Sequence, residues 1–145
     1  MTARQQFAQF QNEPKTDLSQ LESFFDALPA VSEAGMLGHW SGGVFRTGHP
    51  GERQLSALKW AGKSFRSRDD VDPIVSVSDT GERSANPIMG AATLRMVEYR
   101  GVSTATMVYD QHPVMDHFRQ IDEHTVLGVM IKKGDTFPLY FYLQR

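Results

Sequence analysis

The sequence predicts a mainly β protein with two short helices, folded as a closed or nearly closed antiparallel β-barrel. Strand-like segments separated by short turns follow one another almost without interruption in the second half of the chain. With those of the first half they make about eight strands, and closing such a sheet removes its exposed edges. A barrel of this size can be filled by side chains or can hold one small ligand.

A glycine-rich segment at residues 38–42 supports this interpretation. It reads Gly-His-Trp-Ser-Gly, a pattern typical of the first strand of several small lipid-binding barrels. Trp40 would supply a large apolar plug, while the glycines on either side allow neighbouring backbone to approach closely or to bulge. We therefore expect the first strand over residues 37–45.

Two helices are predicted in the first half of the chain. The first would begin after Thr16 or Asp17, end at Pro29, and pack across a barrel end with the apolar residues that recur at helical spacing: Leu18, Leu21, Phe24, Phe25 and Leu28. The second would begin at Pro50, whose fixed φ suits a first helical position. Gly62 is expected to end it.

The remaining strands and the domain boundaries follow from turn signals. Residues 78–87 show no periodicity and predict a flexible loop near the mouth of a cavity. Residues 1–16 predict a flexible or partly helical lead-in, and residues 17–145 a single barrel domain. The further strands are expected at 63–66, 74–77, 91–99, 102–110, 114–121, 126–131 and 137–144.

Composition excludes several classes of function. The chain has 145 residues, no cysteine and a formal net charge of -2. Disulfides, thiolate metal sites and a cysteine nucleophile are excluded, and there is no global basic character to bind nucleic acid. The polar N-terminus lacks an apolar signal region, and no apolar run approaches the roughly 18 residues of a membrane span. We expect a cytoplasmic protein without a membrane span.

Ionisable residues lie on both faces of the predicted strands. Asp116 lies on one face of its strand, and His117 and Arg119 lie on the other. Because desolvating a lone charge costs several kcal/mol, an inward-facing charge must be paired or bound to a ligand. One interpretation is an internal network joining Arg95 or Arg119 to Asp110 or Asp116. The other is a polar floor in an apolar cavity, and the two can coexist.

Histidine spacing gives little support for a metal or for nucleophilic catalysis. His49 lies at a predicted helix start, where backbone N–H groups favour an anion, and His117 shares a strand face with Arg119. The spacing of zinc hydrolases and the G-x-S-x-G elbow are both absent. No metal site is expected.

The ordered motifs resemble a family of small uncharacterised bacterial and fungal proteins that join a GXWXG domain to a C-terminal domain of unknown function. The resemblance covers roughly residues 20–145 and rests on 38–42, 47–50, 60–65, 70–73, 94–95, 99–101, 105–110, 113, 116–119, 126–130 and 142–145. It implies a barrel of the lipocalin or fatty-acid-binding type, with a GXWXG part at about 20–80 and a C-terminal part at about 88–145. It implies no activity. The first strand is also similar to that of nitrobindin-like haem barrels.

Three functions follow as hypotheses. The first is binding of a small, mainly apolar ligand with a polar or acidic head group, in a cavity of several hundred Å³. The candidate ligand-binding residues are Trp40, His49, Trp60, Lys63, Arg95, Tyr109 and Arg119. The sequence leaves two interpretations of Lys63 open: a solvated lysine at a strand end, or an amine that forms a Schiff base. The expected partner is a small molecule, and a homodimer is left open.

The second hypothesis is a cofactor-independent acid–base enzyme, such as an isomerase, dehydratase or cyclase, that uses the same cavity. Its candidate catalytic residues are Asp110, Asp116, His117 and His49. No cofactor is expected in either case. The third hypothesis is a haem barrel with His117, or less favourably His49, as the axial ligand. Whether the protein is an enzyme stays open at this point.

Overall fold

Nine strands form one antiparallel sheet that closes on itself in a computed structural model describing residues 1–145. Eight of them make the barrel, in the order β2-β1-β9-β8-β7-β6-β5-β3, and pairing of β2 with β3 closes it. The short β4 adds to β3 outside the ring. The strands are β1 (Gly38–Val44), β2 (Trp60–Ser67), β3 (Asp70–Val77), β4 (Arg83–Ala85), β5 (Ala92–Tyr99), β6 (Val102–Tyr109), β7 (Val114–Asp122), β8 (Thr125–Lys132) and β9 (Leu139–Gln144).

The closed antiparallel barrel confirms the predicted fold class, and most strand bounds agree within two residues. There are three exceptions. β3 starts at Asp70 rather than at residue 74. β2 starts at Trp60 rather than at residue 63, because Gly62 lies inside the strand instead of ending a helix. β4 forms within the segment that was predicted to be a loop, where it adds three residues to the edge of β3.

Four α-helices accompany the barrel where two were predicted. They are α1 (Ala3–Asn12), α2 (Leu18–Ala27), α3 (Glu33–Met36) and α4 (Pro50–Ala57), and a 3₁₀ turn spans Pro87–Met89. The lead-in is helical because Thr2 and Gln5 form a reciprocal capping box and Phe7 is buried. Asp17 caps α2, as predicted. None of the helices is long and apolar enough to cross a membrane.

Two separate apolar clusters hold the fold together. The lumen cluster fills the barrel with inward-facing residues, among them Trp40, Phe65, Leu94, Met107, Phe118 and Phe141. The outer cluster joins α1 and α2 to the outside of β7, β8 and β9 through residues such as Phe7, Phe25, Leu127 and Tyr140. The apolar face of α2 therefore covers the barrel wall, which corrects the expectation that it lies across a barrel end.

Gly62 shapes the lumen through a bulge in β2. Its φ is +155°, and a Cβ at this position would lie 1.8 Å from the carbonyl oxygen of Trp40 on β1. The register of β2 against β3 shifts on both sides of Gly62. An extra residue in a strand re-aims the side chains beyond it. Trp60 and Lys63 both face the lumen as a result, although they are three residues apart.

Candidate functional site

A buried ion pair crosses the lumen. Lys63 on β2 and Asp116 on β7 lie four strands apart in either direction around the ring, so their side chains meet across the barrel. Lys63 Nζ is 3.2 Å from Asp116 Oδ2, and the two residues are only 3% and 1% exposed. Nζ also donates a hydrogen bond of 3.0 Å to the carbonyl oxygen of Pro73. Lys63 and Asp116, with the adjacent Trp60 and Tyr109, form the ion-pair cluster of the lumen.

Aromatic rings surround the Lys63 amine. Nζ lies 5.5 Å from the ring centroid of Trp60, 6.0 Å from that of Tyr109 and 5.3 Å from that of Phe141. Ring faces at this distance attract a cation, and the rings keep water away from it. The amine is held in an apolar setting with a single carboxylate partner.

Two polar atoms of this cluster have no hydrogen-bond partner within the protein. They are Asp116 Oδ1 and Trp60 Nε1, and both are fully buried. A buried polar group left without a partner costs about 1–3 kcal/mol, so such atoms are rare in native folds. Here one acceptor and one donor are left unpaired next to the same lysine.

Burial shifts the pKa values of Lys63, Asp116 and Tyr109. It lowers the pKa of the Lys63 amine and raises the pKa of the Asp116 carboxyl, and each partner's charge opposes only part of the other's shift. Burial also raises the pKa of Tyr109 well above its usual value, and the Asp116 charge adds to this shift. All three displacements favour neutral groups, since a charge is poorly solvated in the lumen.

A small cavity of about 90 Å³ lies where α4 covers one end of the barrel. Tyr109 connects it to the ion pair, because the Tyr109 ring borders both the cavity and Lys63. Neither Lys63 nor Asp116 lines the cavity itself. Eight of its 11 lining residues are hydrophobic, namely Leu55, Leu58, Ile74, Met89, Tyr109, Val114, Met130 and Leu139, and the other three are Gly51, Gln54 and Lys132. The volume is smaller than the several hundred Å³ expected from the sequence.

Two larger grooves lie on the surface, away from the ion pair. One, of about 570 Å³, has no hydrophobic lining residue and runs past His49, Arg46 and Arg53. The other, of about 620 Å³, lies between α1 and α2. Neither borders a residue of the lumen cluster. The small cavity beneath α4 is therefore the better candidate site, because Tyr109 joins it to the ion pair and most of its lining is hydrophobic.

Trp40 is part of the barrel core. It is 1% exposed, and its Nε1 donates a hydrogen bond of 2.8 Å to the carbonyl oxygen of Met36. The Arg145 guanidinium lies 4.0 Å from the centre of its ring. The structure places Trp40 as the plug that its motif suggested, and not on the cavity wall.

Arg119 and Arg95 lie outside the lumen, which corrects the expectation that they meet a ligand there. Since side chains alternate along a strand and Asp116 points inward, Arg119 points outward. Arg119 donates hydrogen bonds of 3.1 and 2.7 Å to the carbonyl oxygens of Phe25 and Leu28 at the end of α2. Arg95 pairs with Asp69 at 2.6 Å near the surface.

The predicted network between these arginines and the aspartates of neighbouring strands does not form. Asp110 is exposed and accepts a hydrogen bond of 2.8 Å from the Thr93 hydroxyl. Asp116 pairs with Lys63 instead. Of the candidate acid–base residues, the structure brings only Asp116 to the lumen.

The two histidine candidates are engaged elsewhere. His49 caps α4, where Nδ1 accepts from the Gly51 N–H at 2.8 Å and Nε2 donates to Asp135 at 2.9 Å. His117 faces outward and stacks on Tyr99 with ring centroids 4.1 Å apart. These residues do not fit an axial haem ligand in the lumen. No group of three or more His, Asp or Glu side chains lies together in the structure.

His117 predicts a pH dependence of stability. Burial lowers its pKa to about 4, against 6.5 in the unfolded chain. Between pH 6.5 and 4 the unfolded state binds more protons, so stability should fall as the pH falls, by at most about 1.4 kcal/mol per pH unit. Urea unfolding at pH 7, 6 and 5 measures this. The His117→Phe variant should have a flatter profile than the wild type, whereas the exposed His124→Gln variant should keep the slope; equal slopes in all three would contradict the assignment.

Two contributors to the site were not predicted. Phe141 supplies one ring around Lys63, and Pro73 supplies the backbone acceptor for its amine. Phe141 shares one face of β9 with Leu139 and Leu143, a pattern that groups the three residues but does not show that their face is the inner one. The role of Pro73 carries no side-chain signal.

Comparisons with known proteins extend over both halves of the barrel. Residues 23–81 match the family described as GXWXG protein, and residues 90–145 match a domain of unknown function, DUF4334. The crystal structure of a protein from Thermomonospora curvata is similar to this one, with a TM-score of 0.93 and 37% sequence identity. The match covers 100% of this chain and 99% of that chain. No curated protein matches the chain.

Proposed function

The chain belongs to the family whose members join a GXWXG segment to DUF4334, as its motifs predicted, and on this premise we propose that its barrel binds one small, mainly apolar molecule with a neutral oxygen-bearing head group. The head group would be held between Asp116 and Trp60, and the apolar part would lie in the cavity beneath α4. This function needs no cofactor.

The unpaired atoms Asp116 Oδ1 and Trp60 Nε1 carry the proposal. One accepts a hydrogen bond and the other donates one, so together they complement a hydroxyl group, which does both. A carbonyl would take the Trp60 donor and, if Asp116 is protonated, a second donor. Binding would therefore remove a cost that the free protein carries.

A neutral head group fits the charges of the lumen better than an acidic one. The positive charge of Lys63 is already balanced by Asp116 at 3.2 Å. Arg95 and Arg119, the other cations considered, lie outside the lumen. A carboxylate would bring a further buried charge without a cation to pair with it, which costs several kcal/mol.

The cavity supports the apolar part of the ligand. Leu55, Leu58 and Met89 cover it from α4 and the 3₁₀ turn, while Ile74 and Leu139 line it from the barrel. Its volume of about 90 Å³ suits a short aliphatic group. To reach the ion pair, the head group must enter past the Tyr109 ring, which separates the two.

The two tryptophan side chains provide a direct test. In a ¹H–¹⁵N spectrum of the protein titrated with 1-butanol, we expect the indole N–H signal of Trp60 to shift, because its free donor gains an acceptor. The signal of Trp40 should stay in place, because its N–H already bonds to Met36. A Trp60→Phe variant assigns the two signals.

Butyrate is the matched control ligand, since it has the same chain length and a charged head group. The proposal expects 1-butanol to shift the Trp60 signal at lower concentration than butyrate does. A Trp60 signal unmoved by 1-butanol, or a stronger response to butyrate, would contradict it.

Acid–base catalysis is a second candidate function, and the shifted pKa values of Lys63 and Asp116 favour it. A protonated Asp116 could donate to a ligand oxygen, and the Tyr109 phenol stays protonated at neutral pH. Asp110, His49 and His117 would take no part, because each lies outside the lumen.

A further inference from the structure

We propose that Lys63 is a Schiff-base-forming residue that binds a small apolar aldehyde or ketone covalently, with Asp116 as its proton partner. This inference rests on the proposed function, because the same cavity and the same entry past Tyr109 would bring the carbonyl group to the amine. It adds a covalent step and narrows the ligand class to carbonyl compounds.

The surroundings of Lys63 differ from those of every other lysine in the chain. Lys15, Lys59, Lys132 and Lys133 are exposed, whereas Lys63 is buried among three aromatic rings. Desolvation of this kind favours the neutral amine, which is the nucleophilic form. The Pro73 carbonyl and Asp116 hold Nζ from two sides, so the amine is fixed in place.

Asp116 is placed to move the proton that the reaction requires. Its Oδ2 lies 3.2 Å from Nζ and can accept a proton from the ammonium, which leaves a neutral amine beside a neutral acid. Transfer within the pair removes two charges from a poorly solvating lumen. Oδ1 has no hydrogen-bond partner in the protein and is available to the incoming oxygen.

The step balances without an outside reagent. The Lys63 amine forms a bond to the carbonyl carbon, and the protonated Asp116 gives its proton to the carbonyl oxygen, producing a carbinolamine. The nitrogen loses a proton, the hydroxyl group takes one, and water leaves as the C=N bond forms. The net reaction converts the ammonium and the carbonyl compound into an iminium and one water. Asp116 ends as a carboxylate beside the iminium, the same charge balance as in the free protein.

Reductive trapping of the intact protein tests the step. We would incubate it at pH 7 with butanal and sodium cyanoborohydride, which delivers a hydride to the iminium carbon and leaves a stable butyl-lysine. Peptide mapping by mass spectrometry then gives the modified fraction of each lysine. We expect Lys63 to be modified several-fold faster than any exposed lysine, because burial lowers the pKa of its amine and the cavity brings butanal beside it.

The peptide map of the wild-type protein tests the covalent step by itself, even where a variant fails to fold. Modification spread evenly over the exposed lysines, or absent from Lys63, would overturn the covalent step. The Lys63→Met variant should lose the fast modification, and the Lys59→Met variant should keep it. Asp116→Asn should slow the modification of Lys63 while the exposed lysines react as before.

Failure of this inference is distinguishable from failure of the proposed function. If 1-butanol shifts the Trp60 indole signal but butanal leaves Lys63 unmodified, the ligand binds and the covalent step is wrong. If neither compound affects its target, both proposals are wrong.

Discussion

Replacing Asp116 by valine is expected to lower the free energy of unfolding by about 3–5 kcal/mol, because it leaves the Lys63 amine buried without its carboxylate partner. The two side chains are almost fully buried, so no solvent reaches the abandoned charge. Loss of the proton from Lys63 limits the cost but does not remove it, since a neutral amine still has donors and only the Pro73 carbonyl accepts one. Urea unfolding at pH 7 measures the change.

The matched control removes both charges at once. Lys63→Met keeps the length of the side chain, and with Asp116→Val it turns the pair into an apolar contact. Replacing a buried ion pair by apolar residues of similar volume is often neutral, or stabilising by about 1–4 kcal/mol. The double variant should therefore be far more stable than either single variant. Additive losses in the two singles and the double would show that the pair is not coupled.

The outcome also bears on function. If the double variant is as stable as the wild type, the ion pair is not required for folding. Its retention in the lumen is then explained by the ligand chemistry proposed above. In that case the double variant should fold normally and yet show no shift of its Trp60 indole signal with 1-butanol.

Gly62→Ala is expected to destabilise the barrel by about 2–6 kcal/mol. The substitution combines a backbone conformation that L residues rarely adopt with a Cβ placed 1.8 Å from the Trp40 carbonyl oxygen. Backbone strain and overpacking each cost about 1–3 kcal/mol. The obstructing atom belongs to the backbone of β1, so a side-chain rotation cannot relieve the clash, and β1 must separate from β2.

Gly101→Ala separates the two causes. Gly101 has φ +80° in the turn between β5 and β6, and no atom lies within 4 Å of the position of its Cβ. This variant carries conformational strain without a steric clash and should cost about 1–3 kcal/mol. Thermal or urea unfolding of both variants gives the comparison. If Gly62→Ala is no more destabilising than Gly101→Ala, the close approach to Trp40 is not what requires glycine at position 62.

Local patterns were sufficient to predict most of the elements. The alternation and turn residues of the second half predicted β5 to β9 within two residues, because each hairpin is set by its own neighbours. N-terminal signals predicted the starts of α2 and α4, which Asp17 and Pro50 mark, but the end of α4 lies at Ala57 and not at Gly62. The bulge at Gly62 was missed because its cause lies in the backbone of another strand.

The candidate site was predicted only in part, for a related reason. Trp60, Lys63, Tyr109 and Asp116 were among the residues singled out, because charge and aromatic groups on a barrel strand need an explanation. Alternation shows which residues share a face but not which face is the inner one, so Arg119 was placed in the lumen with them. The outer cluster of α1 and α2 decides this, since it buries the opposite face of β7 as completely as the lumen buries the inner one.

By itself, the sequence determined the eight-stranded antiparallel barrel, its family, and the presence of ionisable groups that a core must accommodate. These properties are encoded in short stretches of chain by periodicity, caps and turns. Only the tertiary structure decided that Lys63 meets Asp116 and that the arginines stay outside. The two partners of the pair lie 53 positions apart in the chain (116 less 63) and on opposite sides of the ring. Their contact depends on closure of the sheet, a non-local event that no local pattern records.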